Sequence, residues 1–96
     1  MMKIAYLGSK ATLPGSPLRR SDAFEHDRMM DCLRQSFADK NLHLQDVDWA
    51  DNSQVWSDYN AVIVGTTWDY WDHHDAFLRT LEKIERQSVL FNSAAL

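Results

Sequence analysis

Apolar residues in this chain form four short runs separated by two helical stripes and polar connections. Ile4, Ala5, Tyr6 and Leu7 make the first run, ended by Gly8-Ser9, and predict a short buried strand over residues 3–7. Residues 10–21 form a loop carrying Pro14, Gly15, Pro17 and the pair Arg19-Arg20. A connection this long either serves function or runs over the surface as a mobile loop. His26, Met30, Leu33 and Phe37 then recur at helical spacing, with Met29 and Cys32 widening the stripe into core positions. Asp22 is the expected N-cap, and Glu25 three residues on resembles a capping box, so a helix is predicted from residue 23 to about residue 39. Residues 43–49 alternate around Leu44, Val47 and Trp49 and predict a strand with a polar side at a sheet edge; residues 50–59 predict a loop with a helical turn.

The next run, Ala61-Val62-Ile63-Val64, has four apolar residues in succession, the pattern of a strand covered on both faces. Asp72 is the expected cap of a second helix, with Asp75 in its first turn and Phe77, Leu78, Leu81 and Ile84 as its stripe. Ser88-Val89-Leu90-Phe91 predicts the last strand. This alternation argues for one α/β domain over residues 1–96: a small Rossmann- or flavodoxin-like three-layer fold with a parallel four-stranded sheet. Right-handed crossovers with one helix on each face give the order 2-1-3-4. The switch point then lies between the first and third strands, where Gly8-Ser9 and residues 65–70 face each other.

That geometry directs attention to Gly65-Thr66-Thr67-Trp68-Asp69-Tyr70. Two hydroxyls, an indole, a carboxylate and a phenol can hydrogen-bond and stack on a polar organic ligand, and ligands of open α/β sheets bind outside the carboxyl ends of the strands. The candidate substrate-binding residues are therefore Gly8, Ser9, Gly65, Thr66, Thr67, Trp68, Asp69 and Tyr70. The competing reading is a packing corner, since aromatics at strand ends commonly cap a core.

Composition narrows the function classes. Ten basic and fourteen acidic residues leave a net charge of −4, which argues against nucleic acid and anionic membranes as partners. No apolar run approaches the roughly 18 residues of a membrane span, and the opening residues do not read as a signal peptide. The single Cys32 excludes an internal disulfide and suits a cytoplasmic protein. Four tryptophans in 96 residues suggest a contact surface around Trp56, Trp68, Trp71 or the second helix, and self-association through it.

Candidate chemistry is otherwise sparse. Gly8 and Gly65 stand alone, so neither a dinucleotide fingerprint nor a Walker loop can be built. His73 and His74, adjacent on a helix, diverge by about 100° and make a poor metal pair. His26, with Asp22 and Glu25, either lines the mouth of the cleft or serves the helix start and solvent. Arg19-Arg20 either clamps a carboxylate or phosphate or is a solvated pair.

The chain resembles the N-terminal, pre-ATP-grasp domain of ATP-grasp ligases of the glutathione-synthetase-like kind. The resemblance runs through Lys3-Ile4-Ala5-Tyr6-Leu7, Val47-Asp48-Trp49, Tyr59-Asn60-Ala61-Val62-Ile63-Val64, Thr67-Trp68-Asp69-Tyr70, Phe77-Leu78 and Leu90-Phe91-Asn92. It implies a non-catalytic, substrate-binding domain of an enzyme that joins a carboxylate to an amine through an acyl phosphate. It also implies that ATP and Mg are bound by central and C-terminal domains lying beyond this chain, which then looks like the N-terminal part of a longer enzyme. Many relatives carry an arginine where this chain has Gly65. The alternative is a freestanding interaction or ligand-binding module that dimerises through its tryptophans; a third is a small enzyme acting alone through Asp69 and His26.

Overall fold

A computed structural model describes residues 2–67 and 70–92. The strands are β1 (Met2–Gly8), β2 (Leu42–Asp48), β3 (Ala61–Val64) and β4 (Leu90–Asn92), and the helices are α1 (Phe24–Phe37) and α2 (His74–Gln87). The sheet is parallel, in the order β2-β1-β3-β4, as the crossover argument requires. β1 and β3 are central, and Ile4 and Tyr6 align with Ala61 and Ile63.

Alternation along these strands divides the core in two. Ile4, Tyr6, Leu44, Ala61 and Ile63 pack with Met30 of α1 on one face. Ala5, Leu7, Val47, Val62, Phe77 and Ile84 pack with Trp49, Trp56 and Tyr59 on the other, beneath α2. An uninterrupted apolar run such as that of β3 follows from burial on both faces.

The structure corrects four local expectations. Asp22 does not cap α1: its carboxylate is held by Arg20 through two 3.0 Å hydrogen bonds, and Ala23 sits at the N-cap without a side-chain bond, so no capping box forms with Glu25. Asp72 lies within a 3-10 turn, Tyr70–His73, which runs directly into α2 and leaves His73 at the cap position. Cys32 is exposed. It sits about 140° around the helix from the direction set by His26, Met30 and Phe37, too far to join their stripe. Met29 and Leu78 are likewise more exposed than stripe membership implies.

The fourth correction concerns the aromatic surface. Trp49 and Trp56 are only 3% and 2% exposed, so Trp56 belongs to the core; Trp71 is 76% exposed. Trp49 meets Phe77 edge-on, with ring centroids 5.1 Å apart. Elsewhere the chain exit at Asn41 adopts the left-handed conformation (φ 54°). Asparagine tolerates it, which ends α1 and its 3-10 extension, Ala38–Lys40, where the sequence predicts.

Replacing Trp56 by Ala is expected to cost roughly 3–5 kcal/mol of stability, as for other fully buried large aromatics, whereas Trp71→Ala should stay within about 0.5 kcal/mol. Urea melts of the two variants beside the parent chain check this.

Candidate functional site

The switch point is built from the ends of β1 and β3 and the loops that leave them. Gly65 donates its N–H to the Leu7 carbonyl (3.2 Å), which keeps the two chains together one residue beyond β3. The chain after β1 turns tightly, with the N–H groups of Thr12 and Leu13 both reaching the Ser9 carbonyl at 3.0 and 2.9 Å. This turn places Thr12 against the other strand end: its hydroxyl donates to the Thr66 carbonyl at 2.9 Å, and the Ser9 hydroxyl reaches the same oxygen at 3.3 Å.

Below these contacts lies His26, fully buried on the first turns of α1. Its Nε2 faces Asp46 Oδ2 at 3.3 Å, and its Nδ1 meets the Thr66 hydroxyl in a short contact. A carboxylate oxygen accepts, so Nε2 donates to Asp46, and the Thr66 hydroxyl is the partner of Nδ1. The Tyr6 ring stands 5.5 Å from the imidazole, and its hydroxyl also hydrogen-bonds Thr66. No buried side-chain nitrogen or oxygen among the described residues lacks a partner.

Two glycines permit this closeness. A Cβ on Gly65 would lie 2.1 Å from Tyr6 Cζ and 2.6 Å from its hydroxyl oxygen, an impossible overlap. A Cβ on Gly8 would stand 3.0 Å from Leu13 and 3.1 Å from His26 Cε1. Gly65 is therefore explained by the aromatic ring that fills its side-chain space. The same ring excludes an arginine, or any other side chain, at that position.

Of the sequence-predicted residues, Gly8, Ser9, Gly65, Thr66 and Thr67 converge at the switch point. Ser9 is fully buried, Thr67 is buried and Thr66 is partly so. The hydroxyls of Ser9 and Thr66 are turned to protein partners. Trp68 and Asp69 lie outside the described residues, and Tyr70 opens the 3-10 turn before α2. Sequence reasoning missed Tyr6, Thr12 and Asp46 altogether and set His26 at the cleft mouth or in solvent, although it begins the stripe that faces the sheet.

The long loop is fastened to the domain. Arg19 bonds the Thr12 and Ala23 carbonyls and pairs with Asp27 at 2.8 Å, while the Arg20 N–H reaches the Ala11 carbonyl at 2.8 Å. Neither arginine is a bare solvated cation, and Arg19 fastens residues 12–19 to the start of α1.

Fold and site together define a small Rossmann-like domain with a tightly closed strand-end corner. The family described as the N-terminal domain of D-cycloserine synthetase DcsG matches residues 4–92, and the chain belongs to that family. This bears out the resemblance to the N-terminal domain of an ATP-grasp ligase. Among solved structures, the crystal structure of D-cycloserine synthetase DcsG superposes with a TM-score of 0.71 at 20% identity, over 92% of this chain and 26% of that one. The chain thus spans about a quarter of that protein. No curated protein sequence matches it. Among the described residues, no helix is long and apolar enough to cross a membrane.

Two measurements test the site's energetics. His26→Leu, close in volume, should cost roughly 1–3 kcal/mol for each partner left unsatisfied at Asp46 and Thr66; Gly65→Ala should destabilise comparably, and less so when combined with Tyr6→Leu. Chemical denaturation of the singles and the double checks both.

The second measurement is stability against pH. Burial raises the Tyr6 phenol above 10.0, and burial with nearby Asp58 and Asp51 raises Tyr59. The unfolded chain therefore loses these protons first. Their contribution is complete below pH 10.0 and falls as pH climbs through the folded values. Hydrogen bonds from Ser53 and Gln54 hold Asp51 at about 2, below its usual 3.8, so its contribution is present above pH 3.8 and disappears toward pH 2. Urea melts across this range should show both limbs, with Tyr6→Phe softening the alkaline one.

Proposed function

We propose that this chain is the substrate-binding, non-catalytic N-terminal domain of an ATP-dependent carboxylate–amine ligase acting on an amino acid or peptide. In the full reaction the substrate carboxylate oxygen attacks the γ-phosphorus of ATP and ADP leaves. The amine then displaces phosphate from the acyl phosphate. The observation that carries this reading is the family match across residues 4–92, nearly the whole domain. The relative's name, D-cycloserine synthetase, favours a small amino-acid-derived substrate.

The domain's own role is positioning. Thr66 is gripped from three sides, so the chain after β3 is held at a fixed point at the switch point, where α/β sheets bind ligands. The Ser9 and Thr66 hydroxyls and the N–H groups of Ser9, Thr12, Leu13 and Gly65 are engaged internally, so in this reading the substrate contacts fall to the sequence that follows, Thr67-Trp68-Asp69-Tyr70. Among the described residues no group of three His, Cys, Asp or Glu side chains gathers to hold a metal ion, and the sequence lacks a glycine-rich phosphate loop. ATP and Mg therefore fall, in this reading, to other domains of the parent protein, in the cytoplasm. Exposed Trp71 is the apolar contact such domains would cover. A second reading, a module that dimerises, rests on the same residue.

In the parent ligase, Thr67→Val and Asp69→Asn should each lower turnover at least about tenfold, equivalent to about 1.4 kcal/mol of transition-state binding, with the melting temperature unchanged. Loss of stability with no specific loss of turnover would sink the reading. Calorimetry of the isolated chain with Mg-ATP should give no binding in the low micromolar range. Sedimentation of Trp71→Ala beside the parent chain at about 100 µM separates a domain contact from a homodimer, that concentration being generous for ordinary interfaces.

A further inference from the structure

The α2 face carries a concavity separate from the switch-point corner. Lys10 and the segment after β2 overhang the first turns of α2 and enclose a cavity of about 380 Å³, lined by Trp49, Ala50, Asn52, His73, Ala76 and Thr80 as well as Lys10. A second hollow of about 370 Å³ continues along the helix, bordered by Asn52, Ala76, Arg79, Thr80 and Lys83. The shared lining of Asn52, Ala76 and Thr80 makes them one groove with two unlike lobes. The first has the Trp49 indole and two alanine methyls on its wall. The second is edged by two cations and two neutral hydrogen-bonding side chains.

Charge distinguishes the lobes further. Lys10 is matched by Asp48 at 2.6 Å, so the first lobe is close to neutral on that side. Arg79 and Lys83 stand one helical turn apart, and neither forms an ion pair among the described residues. Like charges at that spacing work against the helix, and an anion between them reverses the sign of the effect. In a chain of net charge −4 this is a local cationic concavity, with neutral donors at Asn52 and Thr80 to orient what enters. Asp51, ionised down to about pH 2, lines an adjoining hollow with Asn52, Trp56, Thr80 and Lys83, and disfavours an anion on that side of Lys83, which leaves the Arg79 side for it.

We propose that this groove binds a small organic oxyanion, a phosphate ester or carboxylate, with its charged group between Arg79 and Lys83 and its uncharged body against Ala50, Ala76 and the exposed edge of Trp49. Pockets of this volume that join apolar walls to a few placed polar groups are of the size and character of small-molecule sites. The ligase reading is not needed for it, and a failure here leaves that reading untouched.

The test is amide and indole NMR of the 96-residue chain at fixed ionic strength, titrated with phenyl phosphate, benzoate and inorganic phosphate. Saturable shifts at Asn52, Ala76, Thr80 and the Trp49 indole are expected with phenyl phosphate or benzoate, and the tighter of the two identifies the headgroup. Inorganic phosphate should bind about tenfold more weakly, and Arg79→Gln with Lys83→Gln should weaken the organic anion at least about tenfold, as loss of charge-assisted contacts implies, with the melting temperature held. Shifts that do not saturate, equal affinity for inorganic phosphate, shifts centred on Gly8 and Thr67, or unchanged binding by the double variant would each overturn the proposal.

Discussion

One buried imidazole ties together three parts of the chain that share no backbone hydrogen bond. His26 belongs to α1, Asp46 to the edge strand β2, and Thr66 to the loop leaving β3. A buried polar group without partners is costly, and a fully satisfied network is directional in a way apolar packing is not. The network therefore fixes how far α1 sits along the sheet and where the chain emerges from β3. The turn at Ser9 and Thr12 and the Tyr6 hydroxyl converge on the same threonine, so a single residue after β3 receives contacts from β1, its following loop and α1.

The two faces of the sheet have used their strand ends differently. On the α1 face, small hydroxyl side chains and two glycines allow the backbones to close, and the corner fills with protein groups. On the α2 face, Trp49 takes up the core space and the overhanging segment after β2 leaves room above α2. The closed corner gives geometric precision to residues 65–67, and the open groove gives volume.

Much of the architecture could be read from the chain because periodicity and topology are dictated by burial. The apolar run of β3, the helical spacing of Met30 and Phe37, and the crossover rule suffice for the order 2-1-3-4. Helix starts were misread because a cap signal is one local competitor among several: Asp22 had a guanidinium two residues away, and Asp72 fell within a 3-10 turn. Stripe edges failed at Cys32 because a window of spaced apolar residues does not reveal which side a helix turns to the sheet. The strand-end corner is legible as a place, since Gly8-Ser9 and Gly65–Thr67 do meet. Its contents are not, because hydrogen bonds such as those of His26 with Asp46 and Thr66 join residues 20 and 40 positions apart, with nothing local to announce them.

The contact of the Tyr6 ring with the Gly65 backbone makes those two positions one heritable unit. A side chain at 65 requires space that only a smaller residue at 6 can release, and a large ring at 6 tolerates no side chain at 65. Passage between the two forms runs through an intermediate with either a cavity or a clash. The pair is thus a single packing choice written in two letters, and the effect of a substitution at either position depends on the residue at the other.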